Sequence, residues 1–148
     1  ILRHIILVRD NCLVLGERLI EKGDEQLGLR LIANGQIHDN SKIKDEFEWL
    51  YLNGETKEKN PDLFEMAVSK HSKGNPHHPE HFLGGIKTMP LEYVAEMTVD
   101  WISRSAQFGD DVNDWIKKSF KKYKYTNKSS VYSSINAFKK LLLEPHFS

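Results

Sequence analysis

Apolar side chains recur along this chain at three- and four-residue steps, a spacing that leaves little room for anything but helices. Ile1, Ile5, Val8, Cys12, Leu15 and Leu19 follow one another at those steps. They fall on one stripe of a helix and on no single face of a strand. The same spacing returns in Phe64, Ala67 and Val68, and most clearly in Leu91, Val94, Thr98, Trp101, Ile102 and Ser105. Convincing strand alternation is nowhere to be found. The expectation is an all-α fold, a bundle of about six or seven helices.

Glycine, proline and capping residues divide the bundle. Gly23 ends a first helix near Glu21, with His4 at the edge of its buried face. Asp24 is a candidate N-cap for a second helix through Leu27, Leu31 and Asn34, which Gly35 either ends or kinks and whose face His38 can continue. Ser41 is expected to cap a third helix, with Asp45 and Glu46 early in it and Phe47, Leu50 and Tyr51 on its apolar side. Asn53-Gly54 reads as a turn and the polar stretch to Asn60 as a loop. Pro61-Asp62 opens a fourth helix; His71 extends its apolar face and Gly74 stops it. His77, His78 and His81 then follow in an irregular stretch with Pro79 and Gly84-Gly85. That loop has little apolar content, so something else must order it, and metal ligation is one candidate. Pro90 starts the clearest helix, to about Phe108. Asp111 caps the next, around Trp115 and Phe120, and Ser129 or Ser130 begins the last, through Ile135, Phe138 and Leu142.

Composition sets outer bounds. The chain of 148 residues is long enough for one domain with a sizeable core. That core is expected over about residues 1–116, with a C-terminal helical extension over about 117–148. A formal net charge of zero argues against a general nucleic-acid binder or a charge-held membrane-surface protein. The basic run Lys117, Lys118, Lys121, Lys122 and Lys124 reads as a solvated face. Cys12 stands alone, which leaves no disulfide framework and no cysteine-based zinc site. With no apolar run of spanning length and no signal-peptide pattern, a cytoplasmic location is expected. The chain begins at Ile1, already inside a periodic segment, so residues upstream are expected to precede it. The oligomeric state is open.

His38-Asp39 is the stretch with the most chemistry in it. The imidazole offers a neutral nitrogen and the carboxylate an anionic oxygen, a pairing that suits zinc, iron, manganese, cobalt or nickel. Four of the seven histidines fall between residues 71 and 81. Asp100 lies in mid-helix beside Met97 and Trp101, where a carboxylate is costly unless it is paired or ligated. In chain order the candidate ligands are His4, His38, Asp39, His71, His77, His78 and Asp100. Singly, each has a plain structural explanation. Together, on or beside helical faces that turn inward, they form a set of the kind from which helical bundles build metal sites.

That order resembles the HD-domain superfamily of metal-dependent phosphohydrolases. There a first-helix His, an adjacent His-Asp pair and a later helical Asp hold one metal; His4, His38, Asp39 and Asp100 match those positions. The resemblance implies an HD-like helical domain. In two-metal members further histidines lie between the His-Asp pair and the last Asp, as His71, His77 and His78 do, and Asp39 would be the bridging carboxylate. Only five residues separate His71 from His77, a shorter interval than those members usually show, so one ion or two, and His77 or His78, stay open. The stretches His38-Asp39-Asn40-Ser41-Lys42, Asn75-Pro76-His77-His78-Pro79 and Glu96-Met97-Thr98-Val99-Asp100-Trp101 also look like those of a family of small uncharacterised proteins from bacteria and their phages, over roughly residues 4–116.

The implied activity is hydrolysis of a phosphoester, with a nucleotide or another small phosphorylated molecule as substrate. Lys42 and Arg104 are candidate phosphate partners, and Glu46 a candidate to position water or act as general base. Helical spacing would equally serve local salt bridges, Lys42 with Glu46 and Arg104 with Asp100. Two other readings share the ligand set: an HD-type di-iron oxygenase, and a non-catalytic, metal-stabilised nucleotide-binding protein. His146 and His81 lie outside the ligand set, although the loop could bring His81 near it.

Overall fold

The computed structural model describes residues 1–145 and is all-helical; no strand occurs among the described residues. Six helices have twelve or more residues: α1 (Leu2–Lys22), α2 (Glu25–Ile37), α6 (Pro61–Gly74), α7 (Leu91–Phe108), α8 (Val112–Tyr123) and α9 (Ser130–Leu143). Three short ones, α3 (Ser41–Lys44), α4 (Glu46–Tyr51) and α5 (Gly54–Lys59), link α2 to α6. His146 lies outside the described residues.

The first two helices form a tight antiparallel pair. A Cβ placed on Gly28 would meet the Gly16 carbonyl oxygen at 2.5 Å, and one on Gly35 would meet Cys12 Cβ at the same distance. Neither neighbour can retreat, so both positions need glycine for the helices to approach. Gly35 therefore neither ends nor kinks α2, which runs on to Ile37. The first helix stops where Gly23 takes up φ 108°.

The central element is α7. Val94 to Asp100 are all buried, because α1, α2, α8 and α9 pack around the helix. The expected core face is shifted: Leu91 is exposed and Trp101 half-buried, while Glu96 turns inward together with Met97 and Asp100. The last helix belongs to the same core, through Val131, Ile135, Phe138 and Leu142. The Arg18 guanidinium donates to the carbonyls of Leu141 and Leu142 at the end of α9. A boundary at residue 116 would fall inside α8.

Three differences from expectation lie between α2 and α7. The third helix breaks at Asp45, where the backbone is extended; its carboxylate caps α4, Oδ1 accepting from Glu48 N–H at 3.0 Å while Oδ2 pairs with Lys70 at 2.6 Å. The polar stretch before Asn60 is helical, because Asn53 caps α5 by accepting from Thr56 N–H. The segment between α6 and α7 also has apolar anchors of its own. It folds into two 3-10 turns, Pro79–His81 and Gly85–Thr88, with Pro79, Ile86 and Met89 buried. The lysines from Lys117 to Lys124 are exposed, as a solvated face should be.

Candidate metal centre

Five segments converge on one buried cluster. His4 comes from the first turn of α1, His38 and Asp39 from the turn after α2, His71 from α6, His77 and His78 from the segment after it, and Asp100 from α7. All are buried except His78, which is half-buried. Asp39 has φ 56°, the left-handed region that an L-residue enters at a cost and that Asp tolerates better than most. This conformation turns its carboxylate inward among the imidazoles.

Among the described residues the seven candidate ligands fall into two groups, and a third set, His38, His77 and Glu96, cuts across them. His4, His38, Asp39 and Asp100 form one, and Asp39, His71, His77 and His78 the other; within each, one ligand atom per residue lies within 4.8 Å of the rest. Asp39 belongs to both. Its Oδ1 is 3.1 Å from both His71 Nε2 and His77 Nε2, and its Oδ2 is 3.3 Å from His38 Nε2. His4 Nε2 meets Asp100 Oδ1 at 2.7 Å. Asp100 Oδ2 is 3.5 Å from His77 Nε2 and 3.9 Å from His38 Nε2.

Two acids that the sequence reading passed over hold the outer edges of the rings. Glu96 Oε2 accepts from His38 Nδ1 at 2.7 Å and from His77 Nδ1 at 2.9 Å. Glu48 Oε1 accepts from His71 Nδ1 at 2.6 Å and from the Ser41 hydroxyl at 2.9 Å. An ionised carboxylate only accepts, so each of these rings carries its proton on Nδ1 and turns Nε2 inward. Carboxylates behind ligating histidines commonly act in this way. Glu96 had one visible sign in the sequence, its place one helical turn before Asp100. Glu48 had an indirect one, its place three residues after Asp45 in the pattern of a helix N-terminus, and it turns inward through the break there.

The inward atoms fit a cation. His38 Nε2, Asp39 Oδ1, His77 Nε2 and His78 Nε2 are buried without an aligned hydrogen-bond partner, although several lie close to one another. A buried polar group left unpaired costs about 1–3 kcal/mol, and three imidazole nitrogens around one unpaired acid oxygen call for a shared positive charge. The protonation balance agrees. Burial opposes charge on Asp39, yet the close imidazoles of His38, His71 and His77 hold it well below the usual carboxylate range. Burial likewise opposes charge on Asp100, but the His4 bond and the His38 charge hold it low. His38 is disfavoured as a cation by burial, but Asp39 and Glu96 lift it to about 10. His78 goes the other way: burial and the neighbouring His77 push it down to about 2, so it is a neutral donor. The described groups could hold a metal ion in place of these protons.

The remaining candidates separate. Lys42 Nζ is 3.1 Å from Asp39 Oδ2, with its side chain 12% exposed, so it lies at the rim of the cluster. Glu46 is exposed in the first turn of α4 and outside the cluster; Glu48 is the acid that α4 turns inward. Arg104 is half-buried one turn beyond Asp100. Neither suggested local salt bridge forms among the described residues, because Lys42 pairs with Asp39, and Asp100 with histidines. His81 is exposed, its Nδ1 donating to the Lys73 carbonyl at 2.6 Å, so the loop does not bring it into the cluster. Two surface depressions, one beside Ile6 and Gln107 and one beside Val112 and Leu143, include no residue of the cluster. No described helix is long and apolar enough to cross a membrane.

A family model described as a family of unknown function (DUF5662) matches residues 1–145, and the chain belongs to that family. The match takes in α8 and α9 as well as the helices of the cluster. No curated protein and no solved structure matches the chain.

Proposed function

We propose that the chain is an HD-type, metal-dependent phosphohydrolase acting on a nucleotide or another small phosphoester. The observation that carries this reading is the place of Asp39, one carboxylate common to two buried groups of histidine and aspartate ligands. Transition-metal ions bound there supply a nucleophilic water at neutral pH and neutralise charge on the phosphate. The chain's own residues do the rest. Glu96 and Glu48 hold the rings in the tautomer that presents Nε2. Lys42 offers an ammonium group at the rim, where it can meet a phosphate oxygen as charge develops. Arg104 is a second cation of suitable geometry for a bidentate phosphate contact.

The test is a panel of nucleotides and small phosphoesters. The protein is purified without chelator and loaded in turn with manganese, iron, cobalt, nickel and zinc. Turnover with at least one ion is the expected result; none with any ion removes the assignment. The near-complete burial of His38, Asp39 and His77 favours a second reading, a metal-stabilised nucleotide-binding protein. Retention of an intact nucleotide without turnover would select it. Oxygen uptake and a mixed-valence signal from the iron-loaded protein would instead identify an HD-type di-iron oxygenase.

A further inference from the structure

We infer that Glu96 is a positioning residue that couples the two ligand groups, so that metal bound in one raises the affinity of the other. The inference rests on the reading that both groups hold metal. Its basis is one oxygen atom, Glu96 Oε2, which accepts from the Nδ1–H of His38 and of His77. His38 is a ligand of the group containing His4 and Asp100, and His77 of the group containing His71 and His78. The two ring centroids are 4.1 Å apart. Asp39 therefore joins the groups from the inside and Glu96 from the outside, with both rings clamped between the two acids.

Such a clamp has a consequence that a simple core ion pair lacks. An ion that fixes the His38 ring also fixes Glu96, which restrains His77 before the second ion arrives. The ordering cost of both rings then falls mainly on the first binding step, and that is positive coupling between sites. The place of Glu96 on α7, one turn before Asp100, ties the clamp to the most buried helix of the fold. Glu48 supplies the internal comparison, because it holds His71 alone, a member of one group.

Cobalt(II) titration, followed by visible absorption and calorimetry, tests the inference on the wild type, Glu96→Gln, Glu96→Ala and Glu48→Gln. The wild type is expected to bind two equivalents, the second more tightly than independent sites allow. Glu96→Gln should weaken both steps, by about 10–100-fold as is usual when the partner of a ligating histidine is lost, and should return their ratio to that of independent sites. Glu48→Gln should weaken one step only. If Glu96→Ala does not fold, Glu96→Gln, with the same shape, carries the test. Imidazole N–H proton resonances of the metal-free protein give a second readout. Those of His38 and His77 should shift together in Glu96→Gln and stay in place in Glu48→Gln. The inference is overturned if Glu96→Gln affects a single step or leaves the ratio unchanged. If the wild type binds one equivalent or none, the underlying two-metal reading fails with it, and that result is visible before any variant is made.

Discussion

His4 and Asp100 are 96 positions apart in the chain, and their side chains meet at 2.7 Å between Nε2 and Oδ1. The contact joins the first turn of α1 to the middle of α7 and places both residues with His38 and Asp39. Ligands so divided predict a pattern of metal loss. His4→Ala should lose one equivalent of metal and keep the other, and His71→Ala should lose the opposite one. Asp39→Ala should lose both. Elemental analysis of each variant, purified without chelator, checks the pattern; a full complement in Asp39→Ala would contradict it.

The backbone at Asp39 makes a separate prediction. At φ 56° an alanine carries a left-handed penalty of about 1–2 kcal/mol that glycine does not, partly offset by the greater chain entropy of glycine. In chelator, Asp39→Gly should therefore be more stable to urea than Asp39→Ala by about 1 kcal/mol. The carboxylate is lost in both, so the difference isolates the backbone. Equal midpoints would mean that this turn is not held left-handed.

Stability against pH should change sign with metal. In the metal-free protein His38 is raised from 6.5 to about 10 by Asp39 and Glu96, against burial. Its contribution is complete below pH 6.5 and is lost as pH rises through about 10. Asp39, Asp100 and Glu96 are lowered, so their contribution is present above the ordinary carboxylate values and is lost as pH falls. His78 is lowered to about 2, so it destabilises the fold progressively as pH falls below 6.5. The chelated protein should thus be most stable near pH 6.5 and weaken both below it and from pH 6.5 to 10. With metal the trend above pH 6.5 should reverse, because the ion competes with those protons. Thermal melts across pH, with and without chelator, measure both slopes.

Lys42 should matter for turnover rather than for metal. Its ammonium pairs with Asp39 Oδ2 at the rim of the cluster. Lys42→Ala is expected to keep the metal content and lower kcat by about 100-fold, as loss of a donor to transition-state charge does. His81→Ala, at an exposed residue bonded to a backbone carbonyl, should change neither, and His146→Ala is expected to be equally silent. Steady-state rates beside metal analysis on the same samples decide the point.

What the sequence disclosed follows from what periodicity and residue type can carry. Repeated helical spacing announced the bundle and its long helices. The inward ligands were legible because histidine and aspartate on apolar faces are costly without a shared partner. Glu48 and Glu96 were not, because acids nine and four residues from the nearest ligand look like ordinary helix surface until tertiary packing buries them. The break at Asp45 has a local cause, Asp45 capping α4 through Glu48 N–H, and Lys70, twenty-five positions away, adds a contact that no local pattern signals. Glu46 was favoured over Glu48 for the same reason: an unbroken helix would have kept Glu46 in register with Lys42.

The most direct test of the central claim compares wild type and Asp39→Ala for phosphoester hydrolysis at matched metal and matched protein. Asp39 is shared by both ligand groups, so its loss should abolish metal-dependent turnover. A wild-type rate that falls to background in the variant is the predicted result. Equal rates in the two would contradict it, because the hydrolysis would then come from another site or from a contaminant.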